Sequence, residues 1–335
     1  MTDNFDPSQS AFVLGHDAAK AQITNAFQSG RMHHAWLITG AEGIGKATLA
    51  YHAAMMILSG GANNFDHSDP ESRTVRLIRA GAHPDFFVLQ RVADEKTGLR
   101  RAVISVEQAR KVAPFLTMTA TYSFGRVALL DEVHTVNVNG QNAILKLIEE
   151  PPAGTVLFLT ATTAGALLPT IRSRCRVLAL SPLRDEQVKA VLMRLDHEAL
   201  DGVDADKLLR FAGGSAGRAL ELLQTESLDL FDELGAILKT MPQLDMTRLY
   251  ALADRLARKE NAEKFDVVVR LFLESLKDSI LSAARGKAGE RLDKRIEAWD
   301  DMRGIFAAAK TGNLDNKLAL INAITTFNQT MKETA

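Results

Sequence analysis

Apolar residues in the first 180 positions follow two rhythms. Short runs, at 35–39, 84–89, 127–130, 156–160 and 176–180, are apolar on both faces of an extended chain, which predicts strands buried on both sides. Between them lie stretches of helical composition, such as the one from Lys46 to about Leu58. Strands alternating with helices predict an α/β domain on a parallel sheet. After Leu180 the strand signal stops. Ser181-Pro182 predicts a helix start, with proline at the first helical position. Helices are expected over 187–195, 205–212 and 217–223, punctuated by Gly213-Gly214 and Met241-Pro242. Further on, Leu249, Leu252, Ala253 and Leu256 recur at helical spacing, as do Val268, Leu271 and Phe272, and a last helix is expected over 317–327. Three units are therefore expected: α/β over 1–180, a small helical unit over 181–242 and a second helical unit over 243–335. The polar, glycine-flanked stretch 60–81 is expected to be in part a mobile loop.

Composition narrows the class. The chain has 335 residues, 46% of them hydrophobic, enough to fill real cores. Its net charge of −1 excludes a chain that binds nucleic acid by bulk positive charge, and no basic stripe offers direct sequence-specific DNA binding. Residues 181–245 are acidic between two mildly basic flanks. One cysteine, Cys175, excludes an internal disulfide and a cysteine-rich zinc site, in keeping with a reducing cytoplasm. The acidic, polar start is not a secretory signal, and no segment reads as a membrane span, so a cytoplasmic protein with no membrane partner is expected.

Three stretches carry chemistry. In Gly40-Ala41-Glu42-Gly43-Ile44-Gly45-Lys46-Ala47 a strand runs through glycines into a helix, the setting a phosphate loop requires. Gly40, Gly43 and Gly45 let backbone N–H groups curl round a polyphosphate, and Lys46 adds a point charge at a helix N-terminus. The residue after the lysine should be Ser or Thr, whose hydroxyl ligates Mg²⁺. Here it is Ala47, and Thr48 lies about 100° further round the helix and cannot substitute. Phosphate binding survives that change better than phosphoryl transfer does. The second stretch, Val127 to Glu132, ends a strand in Asp131-Glu132, the pair that holds a metal's water shell and polarises an attacking water in nucleotidases. The third, Arg172-Ser173-Arg174-Cys175-Arg176, alternates arginines. Read as extended, it puts Arg172 and Arg174 on one face, as a solvated charge run or as a source of guanidinium for phosphate. His33-His34 has no acidic or cysteine partner nearby and does not read as a metal site, while the Gly-rich turn before Arg218 reads equally as a device that places Arg218 near a nucleotide or as a helix cap.

Together these stretches resemble one family. His34-Ala35-Trp36, His83-Pro84-Asp85, Ile104-Ser105-Val106 with Gln108, Asp131-Glu132, the run from Asn142 to Pro152 and Ser173-Arg174-Cys175 are similar to the AAA+ clamp-loader subunits of bacterial DNA polymerase III, the delta-prime branch above all. The resemblance covers residues 12–225. It implies a P-loop AAA+ domain, a helical lid and a C-terminal collar domain in a hetero-pentamer with gamma/tau and delta subunits. The complex loads the sliding clamp on primed DNA. It implies that Arg174 is a trans-acting finger for a neighbour's ATP, that Thr162 or Thr163 stands at the first sensor position and that Arg218 lies about one residue off the second. It also implies an accessory subunit of the polymerase holoenzyme whose own ATP hydrolysis is weak or absent. ATP or ADP would be bound at Gly40, Gly43, Gly45, Lys46, Ala47 and Thr48 without efficient turnover, with Mg²⁺ only alongside nucleotide. The cysteine-free stretch 60–81 replaces the zinc module of many relatives, so no zinc is expected. The competing reading is an active AAA+ ATPase, a gamma/tau-type motor or a branch-migration motor.

Overall fold

The computed structural model describes residues 6–65, 68–91, 103–122, 124–285, 292–310 and 314–334. Residues 1–5 of the polar start and 66–67 of the expected loop lie outside it. The chain divides into two compact units, 1–220 and 221–335.

The first unit is built on strands β1 (Ala35–Thr39), β2 (Phe86–Leu89), β3 (Arg126–Leu130), β4 (Thr155–Ala161) and β5 (Arg176–Ala179). They form one all-parallel sheet in the order β2-β3-β4-β1-β5. Every residue of β1, β3 and β4 is buried, because helices cover both faces. One face packs Trp36, Ile38, Val127, Leu129 and Phe158 with α1 (Asp17–Gln28) and α2 (Lys46–Leu58). The other packs Leu37, Ala128, Leu130 and Leu159 with residues of later helices.

α3 (Arg73–Arg79) adds Val75 and Ile78 to the first face, and the later helices on the second are α4 (Val106–Arg110), α5 (Val112–Thr117), α6 (Val138–Glu149) and α7 (Pro169–Arg172). Three further helices follow, α8 (Asp185–Leu195), α9 (Ala205–Ala212) and α10 (Ala216–Gln224), the last crossing from the first unit into the second. A buried ion pair staples the sheet edge. Arg126 Nη2 lies 3.4 Å from Asp85 Oδ1, and the two Asp85 oxygens accept from Thr121 N and Tyr122 N at 2.8 Å. Arg126 also donates to the carbonyls of Pro84, Phe115 and Thr119.

Two local expectations are corrected and a third gains detail. Ser181-Pro182 does not open a helix. Leu183 N donates to Gly214 O at 2.9 Å, which holds 181–184 out of the helix, and α8 starts at Asp185 with Gln187 Oε1 accepting from Arg184 N. The stretch 60–81 contains α3, with Val75 and Ile78 in the core, and buried Asn63 ties the preceding loop to Ser72 and Asp69. Arg172 and Arg174 do not alternate on an extended strand. Ser173 N, Arg174 N and Cys175 N donate back to Pro169, Ile171 and Arg172, so α7 passes through a turn that carries Arg174 before β5 begins.

The second unit is all helical: the end of α10, then α11 (Leu228–Leu238), α12 (Met246–Leu256), α13 (Ala262–Arg285), α14 (Leu292–Lys310) and α15 (Asn316–Thr334). The apolar stripes expected on α12 and α13 are its core: Leu249, Leu252, Ala253, Leu256, Val268, Leu271 and Phe272 are all buried. Met302, Phe306, Leu320 and Ile324 meet them from α14 and α15. Trp299 donates from its indole to Leu273 O at 2.9 Å, and Arg270 pairs with Glu221.

Candidate functional site

Parallel pairing places chemistry at the two edges of the sheet. The Leu130↔Leu159 and Thr39↔Ala161 registers bring the ends of β3, β4 and β1 together, and each runs straight into a candidate segment: Asp131-Glu132, Thr162 and Gly40–Lys46. This is the carboxyl edge, where open α/β sheets place ligands.

The phosphate loop is held in shape from several sides. Gly40 N donates to the carbonyls of Ala161 and Thr162 at 3.3 and 3.2 Å, so Thr162 meets the loop through its backbone. Gly43 has φ +72°, and a Cβ there would come within 2.3 Å of Ser215 Oγ. The first turn of α10 sits directly on the loop. Gly217 N donates to Gly43 O at 2.9 Å, and Ser215 Oγ donates to Glu42 O at 2.9 Å. Arg218 begins just beyond that contact, its N–H accepted by Ser215 Oγ. On another side His16, itself in a left-handed conformation, donates from Nε2 to Ile44 O at 2.7 Å. Burial holds the His16 pKa below the usual imidazole value.

Lys46 Nζ donates to Gly40 O at 2.9 Å and Ala41 O at 2.7 Å. Burial lowers its pKa, against the pull of Asp131, Glu42 and Glu132. Lys46 thus closes the loop it belongs to, with one N–H of three left over. The carboxylates are also engaged. Thr160 Oγ1 donates to Asp131 Oδ1 at 2.5 Å and accepts from Glu132 N at 2.8 Å. Glu132, at φ +53°, is gripped by Arg91 through a two-point pair, Nε to Oε2 at 2.5 Å and Nη2 to Oε1 at 2.8 Å. Arg91 and Glu132 are 22% and 19% exposed, shielded enough for such a fork to hold.

The glycines, the helix start and Lys46 fit a phosphate. The donor set does not fit a catalytic metal, because Ala47, directly after the lysine, has no hydroxyl, and Glu132 gives both oxygens to Arg91. Among the described residues no three His, Cys, Asp or Glu side chains are grouped to hold a metal ion. No helix among them is long and apolar enough to cross a membrane.

Arg174 lies at the opposite edge. β1 and β5 pair Trp36 with Arg176, so the turn carrying Arg174 is beside the amino ends of the strands. It lines an open cleft of about 480 Å³ with His33, His34, Ile148, Glu149 and Cys175. The two histidine rings stack at 4.4 Å. Arg174 is 43% exposed, with Nη2 on Glu149 Oε1 at 3.2 Å and Nη1 on Thr170 O at 3.2 Å. Burial pushes the Cys175 thiol up to about 12, so it is a neutral wall of the cleft.

Sequence patterns missed four participants: His16, Arg91, Thr160 and Ser215. None sits in a recognisable local motif, and each reaches the site only through chain reversals of 28 to 173 residues.

Comparison with known proteins agrees with this layout. Residues 15–184 match the family model described as DNA polymerase III, delta subunit. Over 188 residues the chain is 36% identical to DNA polymerase III subunit delta' of Pseudomonas aeruginosa, covering 54% of this chain and 53% of that one. It is 30% identical over 257 residues to the delta' subunit of Escherichia coli, covering 76% and 73%. It is also 30% identical over 217 residues to the gamma subunit of Buchnera aphidicola, covering 63% and 56%. The match thus spans about half the length of two of these relatives and nearly three quarters of the third. A P-loop α/β domain with this match over half the chain places it in a family: the protein belongs to the DNA polymerase III delta-type clamp-loader subunits.

Proposed function

We propose that this chain is a delta-prime-like subunit that assembles with gamma/tau- and delta-type subunits into the ring that loads the sliding clamp on primed DNA. In that ring it presents Arg174 to the ATP of a neighbour. The observation carrying this reading is the placement of Arg174. It lies at the amino edge of the sheet, a strand length of roughly 16 Å from its own phosphate loop. A guanidinium there is out of reach of its own chain's nucleotide and open to another subunit's.

The chain's own loop fits the complementary role. Gly43 to Lys46 would hold the phosphates of ATP or ADP, and a bound nucleotide would supply only its own charge and Mg²⁺ to the site. With Ala47 in place the hydroxyl that would ligate that ion is missing, and with Glu132 paired to Arg91 the carboxylate that would activate water is engaged. The nucleotide is then a structural ligand that braces the loop against α10.

Reconstitution tests this. The ring assembled with the organism's own gamma/tau and delta subunits should hydrolyse ATP when given primed DNA and clamp. Arg174→Ala should assemble equally well and lose roughly 10³-fold or more of that rate, the scale of an arginine supplied in trans. Undiminished turnover in the Arg174→Ala ring rejects the role. Steady-state hydrolysis by the isolated chain, abolished by Lys46→Ala, would instead establish an active ATPase.

A further inference from the structure

Glu149 is the last residue of α6, where a carboxylate faces the negative end of the helix dipole. Such a position favours a cation and disfavours an isolated acidic side chain. The helix cannot extend past it, because Pro151 and Pro152 follow. Glu149 is nevertheless held in place, its Oε1 on Arg174 Nη2 at 3.2 Å. Of the two arginines lining the cleft, Arg176 is committed elsewhere. Its guanidinium lies 5.0 Å from the Trp36 ring centroid and donates to Gln22 Oε1.

The Arg174 fork is thus fixed on one side only. Nη1 donates to Thr170 O at 3.2 Å and Ser173 Oγ at 3.4 Å, and Nη2 is ion-paired with Glu149 Oε1 at 3.2 Å. Of five guanidinium N–H groups, the Nε–H and one on Nη2 remain. A long, flexible side chain is thereby restricted to few rotamers before any partner arrives, which removes ordering entropy from the later step.

We infer that Glu149 is a positioning residue for Arg174, holding the guanidinium over the cleft with two donors turned toward an anionic phosphate of an adjoining subunit. The inference rests on the trans role proposed above for Arg174. Glu149 touches no reacting atom itself, and its carboxylate also balances the charge of the cleft while the ring is unassembled.

The test uses the full ring, with ATP titrated so that kcat and KM are separated, and with assembly followed by size-exclusion chromatography. Glu149→Ala should lower kcat about tenfold, on the scale of a misplaced but present catalytic group, and leave KM and assembly unchanged. Glu149→Gln keeps the acceptor oxygen and the side-chain volume, so it should recover most of the loss. In an Arg174→Ala ring, adding Glu149→Ala should change nothing further. An equal loss in both backgrounds, or no loss in the otherwise unaltered chain, overturns the inference. An Arg174→Ala ring with normal turnover overturns the parent reading instead, so the two failures are distinguishable.

Discussion

The two edges of the same sheet have been treated in opposite ways. At the carboxyl edge almost every charged group is satisfied from within: Lys46 by its own loop, Glu132 by Arg91, Asp131 by Thr160, and the loop tip by Ser215 and Gly217. At the amino edge Arg174 and Glu149 stand 43% and 39% exposed at the mouth of a cleft, each keeping unused hydrogen-bonding capacity. An edge that closes on itself can bind but resists the rearrangements turnover needs. An edge that stays open contributes little to its own fold and is available to a neighbour. On the proposed function, the chemistry legible in the motifs would be divided between a structural site and a donated one.

The contrast in stability is the sharpest way to break this comparison. Gly43→Ala must place a methyl 2.3 Å from Ser215 Oγ at a φ of +72°, so urea unfolding should show a loss of about 2–4 kcal/mol. Arg174→Ala removes only a half-exposed pair and should cost about 0.5 kcal/mol or less. Equal losses would mean the open edge is structural after all.

Protonation should produce a comparable but more gradual effect. His52 on α2 is buried, with Nε2 on Ser10 O, and burial depresses its pKa to about 4. The unfolded chain, titrating near 6.5, takes up the proton first as pH falls. Stability should therefore be complete above pH 6.5 and decline by roughly 2–3 kcal/mol toward pH 4. His16, His34, His83 and His134 are lowered in the same direction, so they add to the slope. Thermal melts between pH 7 and pH 4.5 should show a decline that His52→Gln reduces, and an unchanged slope would remove His52 from the account.

The smallest expected effect is the most telling for function. Ala47→Thr restores the hydroxyl after Lys46 but leaves Arg91 on Glu132. ATP hydrolysis by the isolated variant should therefore stay within about threefold of the parent chain, since activating water needs a free base as well as a bound ion. Motor-like turnover from this one substitution would show that the closed edge is not closed.

Much of this could be read from the residues. The five strands, α2 behind the phosphate loop, the switch to helices after β5 and the buried stripes of α12 and α13 follow from local period and burial demand, although only the three inner strands are buried throughout: β2 is half-buried and β5 mostly exposed, because they are the edge strands of the sheet. The start of α8 did not, because a hydrogen bond to Gly214, some thirty residues away, overrides the preference of proline for a helix start. The turn at Arg174 did not either, since alternating arginines look the same on a strand or beside a short helix.

Composition and motif spacing were enough to establish an α/β phosphate-loop domain with a helical continuation, a loop without the metal-binding hydroxyl and an arginine ahead of the last strand. Those features depend on neighbours within a few residues. Which groups were left free to act was settled by folding alone. The partners of Lys46 are local, but Glu132, Asp131, the loop tip and Arg174 meet theirs across 25 to 173 residues, and only sheet order brings them within hydrogen-bonding range.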